Sequence, residues 1–181
     1  MKMNPVVFRE YDIRGVFNLD FDCDFAYALG RAFVTYVRRK SGVKQPRLTL
    51  GYDARLSSPA IADALCAGFK ASGAHVLRLG LVTSPISYFS TFTVENVQGG
   101  IMVTGSHNPP EYNGFKVSFN RTTIFGAEIK ELEKIIEAGE PILLRNRTAR
   151  WNISSGAPKR RKQLTRMIVR STESGTTTRI C

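Results

Sequence analysis

Side chains capable of chemistry are concentrated in one run, Thr104-Gly105-Ser106-His107-Asn108-Pro109-Pro110-Glu111-Tyr112-Asn113-Gly114-Phe115-Lys116. A hydroxyl between Gly105 and His107 can stand exposed on a tight turn, and the two prolines stiffen the segment after it. Lys116 returns toward that turn as the next strand begins, which brings a nucleophile and a candidate base within reach of each other. The run comes after a strand predicted to end at Val103, and in open α/β sheets ligands gather at the carboxyl ends of strands. Taken alone, Ser-His-Asn-Pro-Pro reads as an ordinary turn, because such residues favour turns. A serine hydrolase would use Ser106 with His107 as base. Neighbours on a tight turn rarely align for that relay, and the chain has no G-x-S-x-G string.

Two further segments lie upstream. One is Phe8-Arg9-Glu10-Tyr11-Asp12-Ile13-Arg14-Gly15; the other is Gly51-Tyr52-Asp53-Ala54-Arg55, followed by Ser57-Ser58-Pro59. With the serine loop these make three separated motifs in one order. The set resembles the first domain of the α-D-phosphohexomutase family, which includes phosphoglucomutase and phosphomannomutase. The resemblance covers about residues 5 to 138, and the Ser106 loop is its most specific part.

The resemblance implies a reversible shift of a phosphoryl group between the 1 and 6 positions of a hexose phosphate. Phosphorylated Ser106 would be donor and then acceptor, with a bisphosphorylated sugar as intermediate. Phosphoryl transfer rests on alignment and on cations that offset phosphate charge. Lys116 matches the general acid/base of the family, since a dry, cationic site would favour its neutral form. His107 matches the residue beside the phosphoserine. Tyr11, Arg14 and Asn108 fall on the substrate side, and Arg14 also joins the catalytic set, because a guanidinium gives a fixed two-point grip on phosphate oxygens. Asp53 and Arg55 read as an ion pair that holds the loops together.

Magnesium is implied in the same way, with an oxygen of the Ser106 phosphate as one ligand. The other ligands come, in the family, from an Asp-Gly-Asp-x-Asp-Arg loop of a second domain, and this chain has no such string. Asp20-Phe21-Asp22-Cys23-Asp24 alternates carboxylates but stands at a helix start, where carboxylates serve as caps. A Gly-Glu-x-Ser-Gly-His sugar loop and an Arg-x-Ser-Gly-Thr phosphate loop are missing too.

Periodicity places the elements around the loop. Phe25, Leu29, Ala32, Phe33, Tyr36 and Val37 recur at three- and four-residue spacing and predict a helix from Asp22 or Asp24 to Ser41-Gly42. Arg47 to Gly51 reads as a strand, and Ser57-Ser58-Pro59 as the hydroxyl-capped start of a helix stopping at Gly73. A strand at His75 to Leu79, a helix from Ser84-Pro85 to Val94 and a strand at Gly100 to Val103 continue the alternation. Phe115 to Phe119 reads as an antiparallel edge strand, and Gly126 to Ala138 as a last helix. The expected class is α/β: a mostly parallel sheet with helices on both faces, a three-layer αβα domain over residues 1–140.

Charge divides the chain at the same point. Residues 1–140 contribute +2 and residues 141–181 contribute +9 to the formal charge of +11. The later stretch holds ten Ser or Thr and the cluster Lys159-Arg160-Arg161-Lys162, and predicts a disordered basic tail. A near-neutral domain gives no reason to expect nucleic acid as its partner; hexose phosphate is the expected one. An alternative makes the chain a stand-alone binding or regulatory domain whose tail contacts nucleic acid or acidic lipid. Cys23, Cys66 and Cys181 show no paired spacing, and no run approaches the length of a membrane span. The expectation is a cytoplasmic protein: the first domain of a phosphohexomutase joined to an aberrant tail, truncated and inactive alone.

Overall fold

A computed structural model describes residues 1–139. The expected disordered tail over 141–181 lies outside the described residues. Six strands and four helices follow a short 3-10 turn at Pro5–Val7. They are β1 (Ile13–Val16), α1 (Cys23–Ser41), β2 (Arg47–Tyr52), α2 (Ser58–Ala71), β3 (His75–Leu81) and α3 (Ser84–Thr93). β4 (Val97–Val103), β5 (Tyr112–Phe119), β6 (Thr122–Thr123) and α4 (Ala127–Glu137) complete the series.

The strand order is β1-β5-β4-β2-β3, with β6 paired to β5. β2 runs parallel to β3 and to β4, whereas the β4–β5, β5–β1 and β5–β6 pairs are antiparallel. The sheet is therefore mixed, not mostly parallel, and β5 lies inside it rather than at an edge. The mixture begins with β5, which runs antiparallel to β4; β5 is internal because of β1, whose four residues are too few to show a period in the sequence. It adds outside β5 with Ile13 opposite Phe115 and Arg14 opposite Gly114.

Helices cover both faces, unequally. α1 packs on α2 and α4 on one side, and α3 packs on β2 and β4. α1 begins where Asp22 accepts a hydrogen bond from the Phe25 N–H at 2.8 Å. It ends at Gly42, whose φ of 72° turns the chain while its N–H reaches the Arg38 carbonyl. The acidic run before α1 is thus consumed locally, since Asp20 accepts from the Val16 N–H at 2.8 Å. Phe8, Phe21, Phe25 and Phe115 form an aromatic cluster between α1 and the sheet, with centroids 5.5 to 6.1 Å apart. The Tyr36 hydroxyl donates to Glu128 at 2.5 Å and joins α1 to α4.

α1 and α2 approach more closely than side chains would permit. A Cβ on Gly68 would lie 2.2 Å from the Tyr27 carbonyl oxygen, and one on Gly30 would lie 2.6 Å from that of Leu65. Paired glycines let the two backbones touch. α2 begins at Ser57 with Pro59 in its first turn, but the Ser57 hydroxyl makes no capping bond. It accepts from the Asn113 side chain instead, at 2.8 Å. No described helix is long and apolar enough to cross a membrane.

Candidate active site

The serine loop leaves β4 after Val103, at the end of the parallel strands. Ser106 has φ of 53°, a left-handed conformation that non-glycine residues rarely take and that needs support from its surroundings. Part of that support is local. The Ser106 N–H donates to the Thr104 hydroxyl at 2.9 Å, and the Asn108 N–H and side-chain amide both donate to the Gly105 carbonyl, at 3.0 and 2.9 Å. Asn108 therefore closes the turn, with its amide directed at the loop's own backbone.

Arg55 supplies the rest. Its guanidinium donates through Nη1 to the carbonyls of Pro109 (2.6 Å) and Tyr112 (3.0 Å). Through Nη2 it donates to Ser106 (3.1 Å) and Asn108 (2.6 Å). Its Nε faces Asp53 Oδ2 at 3.4 Å, and the same carboxylate oxygen accepts from the Gly105 N–H at 3.2 Å. The ion pair read from the sequence thus exists, and it holds the serine loop by its backbone. A Cβ on Gly105 would lie 2.3 Å from Arg55 Cζ, so glycine is required for the guanidinium to lie flat against the turn.

Burial would raise the Asp53 carboxyl. Hydrogen bonds from the side chains of Ser58 and Thr104 and from the N–H groups of Arg55 and Gly105 outweigh it and hold the group below its ordinary value. Asn113, fully buried, links this network to α2 through the Ser57 and Ser58 hydroxyls at 2.8 and 2.9 Å. Sequence reasoning gave Thr104 and Asn113 no role. Asn113-Gly114 reads as a turn dipeptide, yet both residues lie within β5, and nothing local marks the partner fifty-five residues away.

The hydroxyl of Ser106 is exposed. Its contact with His107 Nδ1 is 3.4 Å, at the limit of a hydrogen bond, and no other hydrogen bond or ion pair holds His107 among the described residues. That is not the oriented base of a hydrolase relay.

Lys116 and Arg14 share one face of the sheet. Lys116 pairs with Met102 on β4 and lies two residues from Gly114, the partner of Arg14 on β1. Their neighbours Ile13, Phe115 and Val117 are buried in the core cluster, which leaves the two cations on the side carrying α3. There Lys116 lines a cavity of about 240 Å³ with Ser84, Ser87, Tyr88, Met102 and Ser118. Arg14 Nε lies 3.2 Å from Asp12 Oδ1; both atoms are buried and poorly aligned for a hydrogen bond, so the contact is an ion pair. Tyr11 stands 72% exposed at the tip of the loop before β1, its ring 6.4 Å from that of Phe125. No hydrogen bond joins Ser106 to Lys116, Arg14 or Tyr11 among the described residues.

These features define a class: an α/β/α domain that presents a serine hydroxyl on a clamped, left-handed turn at the carboxyl end of its sheet, with two cations on one adjoining face. Residues 5–142 match the model of the phosphoglucomutase/phosphomannomutase α/β/α domain I. The chain belongs to that family, and what it contains of it is domain I. It is 41% identical over 131 residues to a phosphoglucomutase of Neisseria meningitidis, a match covering 72% of this chain and 28% of that protein. Against a phosphomannomutase/phosphoglucomutase of Pseudomonas aeruginosa it is 36% identical over 134 residues, 74% of this chain and 28% of the relative. A crystal structure of a phosphoglucomutase/phosphomannomutase family protein from Burkholderia thailandensis superposes with a TM-score of 0.70 at 38% identity, covering 76% of this chain and 31% of that one. The chain thus spans under a third of the length of these relatives.

Proposed function

We propose that residues 1–140 are the catalytic-serine domain of a phosphohexomutase, in which phosphorylated Ser106 gives its phosphoryl group to a hexose phosphate and later takes one back. The observation that carries this reading is the Ser106 turn itself. Strained, exposed and fixed by four bonds from one guanidinium, it is built to present a hydroxyl rather than to reverse the chain. In the donor step the Ser106 Oγ–P bond breaks as a sugar hydroxyl oxygen bonds to phosphorus, and Lys116 takes the proton that the hydroxyl loses. The released Ser106 oxygen takes a proton from water, and the bisphosphorylated sugar turns over. Its second phosphoryl group passes to Ser106, which gives that proton back to water, and Lys116 returns its proton to the departing sugar oxygen. Arg14 and His107 would offset phosphate charge and Tyr11 would face the substrate, whereas the Asn108 amide is occupied in closing the turn.

Magnesium would meet an oxygen of the serine phosphate and offset its charge. The described residues do not complete a site for it, because no three His, Cys, Asp or Glu side chains gather there and Asp20 and Asp22 are engaged with backbone N–H groups. A complete magnesium site requires further ligands. Among the described residues nothing covers Ser106, which is exposed, so water reaches it and these residues alone are expected to sustain no turnover.

The test is intact-protein mass spectrometry after incubation with glucose 1,6-bisphosphate, beside a coupled mutase assay. The expected result is a gain of one phosphoryl group, absent in Ser106→Ala, with no steady turnover of glucose 1-phosphate or mannose 1-phosphate. Phosphorylation that persists in Ser106→Ala would overturn the assignment of the serine. Steady turnover by the chain would overturn its inactivity.

A further inference from the structure

α3 is amphipathic in the wrong direction for a helix that only has to cover a sheet. Its inward residues are small and hydroxylic: Ser87, Ser90 and Thr91 are buried. The Ser90 and Thr91 hydroxyls are spent on backbone carbonyls within the helix, those of Ser87 and Tyr88. Its large apolar residues point outward. Ile86, Tyr88, Phe89 and Phe92 are 53, 42, 64 and 46% exposed, and with Pro85 they line a shallow groove of about 480 Å³. Burying such side chains is favourable, and isolated domains seldom leave four of them together on one helix.

We propose that this face is a weak interface between two copies of the chain, with α3 packed antiparallel on its symmetry mate about a twofold axis. Three observations select a second copy as the occupant. First, α3 itself carries no charged residue, and antiparallel helices set each N-terminus beside the partner's C-terminus, so the Arg121 guanidinium over Phe92 is the like charge that added salt screens. Second, the aromatic anchors are already held in place. The Tyr88 and Phe92 rings pack at 5.2 Å, the Tyr88 hydroxyl donates to the Arg121 carbonyl at 2.9 Å, and the Arg121 guanidinium lies 5.8 Å over Phe92. Rings fixed before association lose little freedom on binding.

Third, the area suits a weak dimer. The exposed parts of the four side chains amount to roughly 400 Å² per copy. Pairing would remove at most about 800 Å² from water, below the ~1,000 Å² expected of a stable interface, so the association is weak. The formal charge of +11 opposes association at long range, so added salt should strengthen this dimer by screening.

Sedimentation velocity on the complete chain, from low micromolar to several hundred micromolar at low and high salt, tests the proposal. The expected result is a reversible monomer–dimer equilibrium that tightens with salt. Phe89→Glu should weaken it about tenfold or more with an unchanged circular dichroism spectrum. Leu19→Glu, at a site 71% exposed in the loop before α1, should leave it unchanged. A chain that stays monomeric throughout would overturn the proposal and leave the face to a different partner, such as the further chain that the longer relatives carry. A dimer indifferent to Phe89→Glu, or one that weakens with salt as contacts of the basic stretch would, overturns it equally.

Discussion

Replacing Arg55 with methionine removes the guanidinium but keeps most of the aliphatic stem, and so isolates what the clamp does for the serine loop. Four carbonyls lose their donor. Those of Ser106 and Pro109 are reached through exposed bonds, and water takes the place of the guanidinium there at little cost. The bonds to Asn108 and Tyr112 are partly buried, and a bond from a charged donor in such a place is worth about 1.5 kcal/mol or more. The loss is then about 3 kcal/mol, which for a domain of this size lowers the melting temperature by about 10 °C. The same energy should speed hydrogen exchange at the Asn108 and Tyr112 amides about 100-fold, since they bond within the turn to Gly105 and Pro109. Arg55→Lys, which keeps a charge for Asp53 but reaches fewer carbonyls, should fall between the two. Heteronuclear NMR exchange with a calorimetric melt reads both effects. If Arg55→Met melts within a degree or so of the parent and those amides exchange at the parental rate, the guanidinium does not hold the loop and the reasoning fails.

Two other outcomes come from the packing and the network. The Asp53 carboxyl titrates lower in the folded chain than its ordinary value of 3.8, so the unfolded chain binds more protons as pH falls. Its stabilisation is fully present above that ordinary value and is lost as pH drops through the lowered one; Asp53→Asn should therefore flatten the acid limb of a stability–pH curve measured by urea unfolding. Gly68→Ala, which would set a Cβ 2.2 Å from the Tyr27 carbonyl oxygen, should destabilise the domain by about 2–3 kcal/mol in the same assay, whereas an ordinary exposed helical glycine gains stability from that change.

Much of this protein is legible in its residues alone. Local signals suffice for Asp22 as a cap, Gly42 as a stop, the buried stripe of α1 and the alternation of β2, α2, β3, α3 and β4, because each is decided by neighbours within one or two turns. The order of three motifs also identified the family, since such strings in sequence have few other sources. Long-range contacts settled the rest. β5 became an inner strand because Ile13–Val16, too short to declare itself, pairs with it from about a hundred residues away. α3 buries Ser87, Ser90 and Thr91 and leaves Phe89 and Phe92 outward, an orientation that helical periodicity alone does not reveal. Arg55, read in the sequence as half of an ion pair, holds Ser106 because folding brings four carbonyls of a distant loop within reach of one guanidinium. Which groups share a site depends on strand register and loop path, and those are settled only when the whole sheet forms.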